Sequence, residues 1–103
     1  MIKLNNYGEF LKKTKEGKCI VEFSSNDCPP CKALKPILEE IENEISEIKF
    51  FEVNISESTD ISEKMTIFGV PTLTFISDGK EIKRTVGFVN RKKILKMLKG
   101  VFK

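Results

Sequence analysis

The sequence predicts an α/β fold with a mixed central β-sheet flanked by helices, and three observations carry that reading. Strand-like and helix-period segments alternate in the order β-α-β-α-β-α-β-β-α. Cys19-Ile20-Val21-Glu22-Phe23 is a nearly continuous β-branched and apolar run, the pattern of a central strand covered on both faces. Asp78-Gly79 is a strong hairpin turn between two later strands, whereas the earlier strands are separated by helices and are therefore parallel. A chain of 103 residues is expected to form one domain, residues 1–103.

The elements follow in order. Ile2 and Leu4 alternate with polar residues and suggest a short first strand. Asn5 or Asn6 caps a helix over Tyr7 to Lys15, with Tyr7, Phe10 and Leu11 on one face and Gly17 ending it. After the Cys19–Phe23 strand, Leu34, Ile37, Leu38, Ile41, Ile45 and Ile48 recur at helical spacing with glutamates between them. Pro36 falls inside this helix, where a kink is expected. Lys49 to Ile55 reads as a strand, and a short helix carrying Ile61 and Met65 starts from a cap at Thr59 or Asp60. Thr72 to Ile76 and Glu81 to Val86 form the hairpin. Asn90 caps a last helix that buries Ile94, Leu95, Leu98 and Val101.

Composition narrows the function. The chain is 40% hydrophobic and 32% charged, as a folded soluble protein is. A net charge of +3 is too small to imply a nucleic acid partner by itself, because phosphate binding needs clustered cations. No apolar run is long enough to span a membrane. No charged segment followed by an apolar core opens the chain, so a cytoplasmic location is expected. There is no histidine, so proton transfer falls to a carboxylate, thiol, lysine, tyrosine or water. Three cysteines are too few for a disulfide-stapled fold; a close pair in a reducing compartment reads as redox or metal chemistry.

Cys28-Pro29-Pro30-Cys31 sits where a strand gives way to a helix. The unpaired N–H groups and macrodipole there favour an anion such as a thiolate. Two intervening residues let the sulfurs approach, so that one thiolate can open a substrate disulfide and the other can resolve the mixed disulfide. Pro29 and Pro30 delete two donors, leaving the Cys31 N–H as the nearest to the Cys28 sulfur. With Asp27 adjacent, Cys28 is expected to be less acidic than its position alone would make it. Zinc usually wants four ligands, and Cys19 is the only other strong candidate, so no metal site is expected. Cys19 itself reads as a small buried hydrophobe. Glu22 is a carboxylate inside an apolar strand; burial there raises its pKa, and a side chain reaching outward at a strand edge is the alternative.

These residues resemble the thioredoxin family over almost the whole chain. The matching landmarks are Ile20-Val21-Glu22-Phe23, Cys28-Pro29-Pro30-Cys31-Lys32, Pro36, Val53-Asn54-Ile55, Gly69-Val70-Pro71-Thr72, Asp78-Gly79 and Val86-Gly87. The resemblance implies a thioredoxin fold and a thiol–disulfide oxidoreductase without a cofactor. It implies that Cys28 is the exposed nucleophile, Cys31 the buried resolving thiol, and Glu22 the group exchanging a proton with Cys31. Pro71 matches the family's cis-proline, an ordinary trans turn proline being the alternative. The Val70 backbone would then pair with a bound substrate strand, and Pro29, Pro30 and Gly87 would border it. The implied partners are disulfide-containing proteins and a thioredoxin-reductase-type electron donor, met by a monomer.

The chain also departs from the family. It has no tryptophan; Asp27 and Ser24 stand where tryptophans are usual, Pro29 replaces a glycine, and Glu52 replaces a lysine. The groove is therefore expected to be more polar and acidic than usual. A glutathione-dependent glutaredoxin-like activity, a redox-inert binding module and a metal-binding module are the alternatives. Arg91-Lys92-Lys93 is unexpected at a helix start, where cations oppose the macrodipole; it reads as surface charge or as a contact for an acidic partner. Phe88 and Val89 read either as rim of the substrate site or as core.

Overall fold

A computed structural model describes residues 1–102. Its elements are β1 (Ile2–Lys3), α1 (Tyr7–Thr14), β2 (Lys18–Ser24), α2 (Pro29–Glu44), β3 (Ile48–Asn54), α3 (Thr59–Lys64), β4 (Thr72–Ser77), β5 (Lys80–Val86) and α4 (Arg91–Val101). The five strands lie in the order β1-β3-β2-β4-β5. β1 and β2 both run parallel to β3, as helical crossovers require. β4 is antiparallel to β2, and β5 to β4. The element order and mixed sheet are those expected from the sequence.

Local chemistry sets the boundaries. The Asn6 side chain accepts from the Glu9 N–H at 2.8 Å and starts α1. Asn90 accepts from the Lys93 N–H at 2.9 Å and starts α4. Asp78 and Gly79 both adopt positive φ, 48° and 83°, which a two-residue turn matched to the sheet twist demands. That turn is tied to the end of α1: the Gly17 N–H donates to Asp78 Oδ1 at 2.7 Å, and the Asp78 N–H donates to the Gly17 carbonyl at 2.9 Å.

Several sequence expectations are corrected. Leu11 is 50% exposed; the buried stripe of α1 is Phe10 and Thr14. α2 stops at Glu44, so Ile45 is its C-cap and Ile48 begins β3, although both continue the helical spacing. The residue preceding α3 is Ser58, whose hydroxyl makes no cap bond and instead donates to the Asn5 carbonyl at 3.0 Å. Asp60 instead receives the Tyr7 N–H at 2.8 Å, joining α3 to the start of α1. Pro36 lies inside α2, as its place in the sequence implies.

Alternation along the strands divides the core in two. Cys19, Val21, Phe23, Phe51 and Val53 pack with Phe10 and Ile61 of α1 and α3. Ile20, Phe50, Leu73 and Phe75 pack with Leu34, Leu38, Ile94 and Leu98 of α2 and α4. Glu22 belongs by register to this second face.

Candidate active site

Cys28 is the N-cap of α2, in extended conformation, with Pro29 and Pro30 supplying the first helical residues. Proline suits those positions because its missing N–H would have had no helical partner. Cys28 and Cys31 are joined as a disulfide, with Cα atoms 5.2 Å apart. The Cys31 N–H donates to Cys28 Sγ at 3.3 Å, the donor that the two prolines leave available. Exposure does not rank the two residues as the resemblance implied: in this oxidised form Cys28 is 5% exposed and Cys31 is 4% exposed. Their surroundings differ instead. Cys31 borders a cavity of about 230 Å³ that Glu22, Lys35 and Glu52 also line, and Cys28 does not.

Glu22 is buried, 1% exposed, and does not reach solvent at a strand edge. Its Oε2 has no hydrogen-bond partner among the described residues. Burial chiefly, and then the charge of Glu52, push its carboxyl from 4.5 to about 7, while Lys35 opposes the rise and Glu39 adds to it. Glu52 lies directly beside Glu22 because β2 and β3 pair them in register. Lys3 of β1 continues that row opposite Glu52 but pairs with Glu57. Lys35 Nζ lies 3.3 Å from the Glu52 carboxylate. One turn after Cys31 on α2, it brings a cation over two adjacent carboxylates. The cavity also touches Ser24, Asn54 and Lys32, so its lining is mostly polar.

The Val70–Pro71 peptide bond is cis. The Gly87 N–H donates to the Pro71 carbonyl at 2.8 Å, and the Thr72 hydroxyl donates to the Gly69 carbonyl at 2.6 Å, so Val70, Pro71 and Gly87 are held together. Phe88 and Val89 separate: Val89 is core and Phe88 is 47% exposed. Asp27, Pro29 and Pro30 are all exposed beside the disulfide. Cys19 is fully buried in the core against α1 and α3, and burial raises its thiol pKa.

Three residues escaped the sequence reading. Lys35 carried a signal, since position i+4 from Cys31 shares its helix face. Arg84 carried none. Its guanidinium grips Glu81 through Nε and Nη2 at 2.7 and 2.8 Å. It also donates to the carbonyls of Thr66 and Met65 at 2.9 and 2.8 Å, anchoring the start of the loop that carries Val70 and Pro71. Phe68, on that loop, is 93% exposed.

Comparison with known proteins agrees with this geometry. The family model described as Thioredoxin matches residues 1–100. A thioredoxin of Mycoplasmoides gallisepticum is 34% identical over 82 residues, covering 80% of this chain and 82% of that one. The Bacillus subtilis thioredoxin is 31% identical over 80 residues, 77% of each chain. Among solved structures, Fasciola hepatica thioredoxin superposes with a TM-score of 0.88 at 27% identity, covering 98% of this chain and 99% of that one. Oxidised mitochondrial thioredoxin 3 of Saccharomyces cerevisiae gives 0.89 at 28% identity, covering 97% and 94%.

Proposed function

The chain belongs to the thioredoxin family and is a thiol–disulfide oxidoreductase; on that premise we propose that it is a dithiol carrier that reduces protein disulfides, with Cys28 attacking and Cys31 resolving. The Cys28 thiolate attacks one sulfur of a substrate disulfide, forming a mixed disulfide and releasing the other substrate sulfur as a thiolate. Cys31 then gives its proton to the Glu22 carboxylate and attacks Cys28 Sγ. The Cys28–Cys31 disulfide forms, the second substrate thiol leaves, and two electrons have passed to the substrate. The state described above, with the two sulfurs joined, is the product of that half-reaction.

The observation that carries this assignment of roles is the cavity shared by Cys31 and Glu22 and not by Cys28. A base whose pKa is about 7 is half ready to accept a proton at neutral pH and is matched to a thiol's proton. Cys28, at the helix N-terminus with the Cys31 N–H on its sulfur, has the surroundings that favour a thiolate. Val70, Pro71, Gly87, Pro29 and Pro30 frame the approach for a substrate segment. The electron donor is of the thioredoxin-reductase type, and the chain acts in the cytoplasm as a single monomeric domain over residues 1–103.

The test is a trapping experiment with a disulfide-containing protein. Cys31→Ser should accumulate a mixed disulfide on Cys28 that dithiothreitol releases, and Cys28→Ser should accumulate none. A stable adduct on Cys31 in the Cys28→Ser protein, with turnover retained, would reverse the roles.

A further inference from the structure

A second recess lies between β5 and α4, an open groove of about 790 Å³. Lys83 of β5 and Lys92, Lys93 and Lys96 of α4 line it, with Met97 and Val101 supplying apolar lining. These four lysines are exposed, and none forms a salt bridge among the described residues. Arg91, next to them in sequence, behaves differently: it bridges Glu40 and Glu44 of α2 at 2.9 and 2.7 Å. The cationic run at the start of α4 is thus divided. One member fastens the helix to its neighbour, and the others stand open around a groove.

Two of the groove's lining residues flank, in the chain, the loop that touches Pro71. Thr85 is two positions before Gly87, whose N–H holds the Pro71 carbonyl, and Asn90 is three positions after. β5 is also an edge strand of the sheet, so its outer main-chain groups are open to an added extended segment. We propose that this groove docks an acidic, extended segment of the protein whose disulfide is exchanged at Cys28 and Cys31.

Charge complementarity selects the occupant. Four unpaired ammonium groups at one recess attract carboxylates over about a Debye length, ~8–10 Å, and raise the rate of productive encounter. A volume in the ~300–1,000 Å³ range takes a short stretch of chain at most, with Met97 contacting its apolar side. The choice of a protein over a nucleic acid rests on the dithiol reading above, because the exchanging partner is a protein disulfide. It also agrees with the small net charge of +3.

The test uses the whole chain and a fluorescent, cysteine-free peptide rich in glutamate, beside its glutamine counterpart. The acidic peptide should bind about tenfold more tightly at low salt and lose that advantage as salt rises. Amide shifts on binding should concentrate in β5 and α4. Lys83→Gln/Lys93→Gln/Lys96→Gln should weaken acidic-peptide binding about tenfold while reducing a small neutral disulfide as fast as the unaltered chain. Equal binding of the two peptides, an undiminished affinity in the triple variant, or tighter occupation of the same residues by a uridine oligonucleotide would each overturn the proposal. The binding measurement involves no turnover. If the unaltered chain failed to reduce the small disulfide, the dithiol reading would fall while the binding result still decided the groove.

Discussion

Cys19 and Cys31 are both buried thiol positions, 0% and 4% exposed, and they lie in opposite kinds of surroundings. Cys19 packs in the apolar cluster of Phe10, Val21 and Ile76 on the α1/α3 side and, unlike Cys31, does not border the polar cavity that holds Glu22. Cys31 borders a polar cavity with a carboxylate, a cation and a bonded partner sulfur. Burial alone therefore says nothing about reactivity. The difference lies in whether the sheet face beneath the sulfur continues as a packed core or opens into a polar recess, as the α2/α4 face does beyond Ile20 where Glu22 replaces a hydrophobe.

The comparison is broken most severely by exchanging what each thiol has. Cys31→Ala should lower turnover on a protein disulfide by roughly a thousandfold or more, since the mixed disulfide has no internal resolving group. Cys19→Ala should leave turnover unchanged and cost about 1–2 kcal/mol in denaturant unfolding. A large rate loss in Cys19→Ala with native stability would show that the packed face takes part in the chemistry.

Glu22→Gln gives the next largest effect. Single-turnover resolution near neutral pH should slow by roughly a hundredfold. Stability should move the other way. The folded chain holds a proton on Glu22 between pH 4.5 and about 7 that the unfolded chain has released, so this group makes stability fall as pH rises through that window. Above it, the oxidised Glu22→Gln protein should exceed the unaltered one by roughly 3 kcal/mol, and the advantage should vanish below the carboxylate range. Unfolding curves across pH check the sign.

A smaller effect is expected at Arg84. Arg84→Ala frees the Met65 and Thr66 carbonyls, and KM for a protein disulfide should rise a few-fold, corresponding to about 1 kcal/mol, with kcat on a small disulfide retained. Arg84→Lys should restore part of the loss. The smallest effect tests the cation above the carboxylates. Lys35→Gln should move the Glu22 midpoint upward and Glu52→Gln should move it downward, both followed by the carboxyl carbon resonance. A shift of the same sign in both would refute the charge arrangement.

Features set within a few residues were legible in the sequence. The Cys28–Cys31 pair, the Asn6 and Asn90 caps and the Asp78-Gly79 turn depend on neighbours in the chain, and the structure has them as expected. Glu22 stood out because a charge interrupts an apolar run. Errors arose where tertiary packing decides. Ile45 and Ile48 keep helical spacing past the point where α2 ends, and Leu11 fits a helical stripe that the core leaves uncovered. Arg84 could not be read as a clamp, since its carbonyl partners lie 18 and 19 residues away. The departure of Glu52 from the family pattern was visible. That Lys35 answers it from another element requires the helix to be seen over the sheet.

The open edge of β5 also bears on how this chain behaves among its own copies. An exposed strand edge is a template for pairing with another sheet, and at cellular concentrations that is a route to aggregation. Lys80 and Lys83 stand exposed along β5, and the pairing of β4 with β5 shifts register at Phe75/Ile76, which interrupts a flat ladder. Two copies meeting edge to edge would bring these lysines into mutual repulsion. The charge that would welcome an acidic segment therefore also keeps identical molecules apart, so neutralising it should make the protein stickier toward itself.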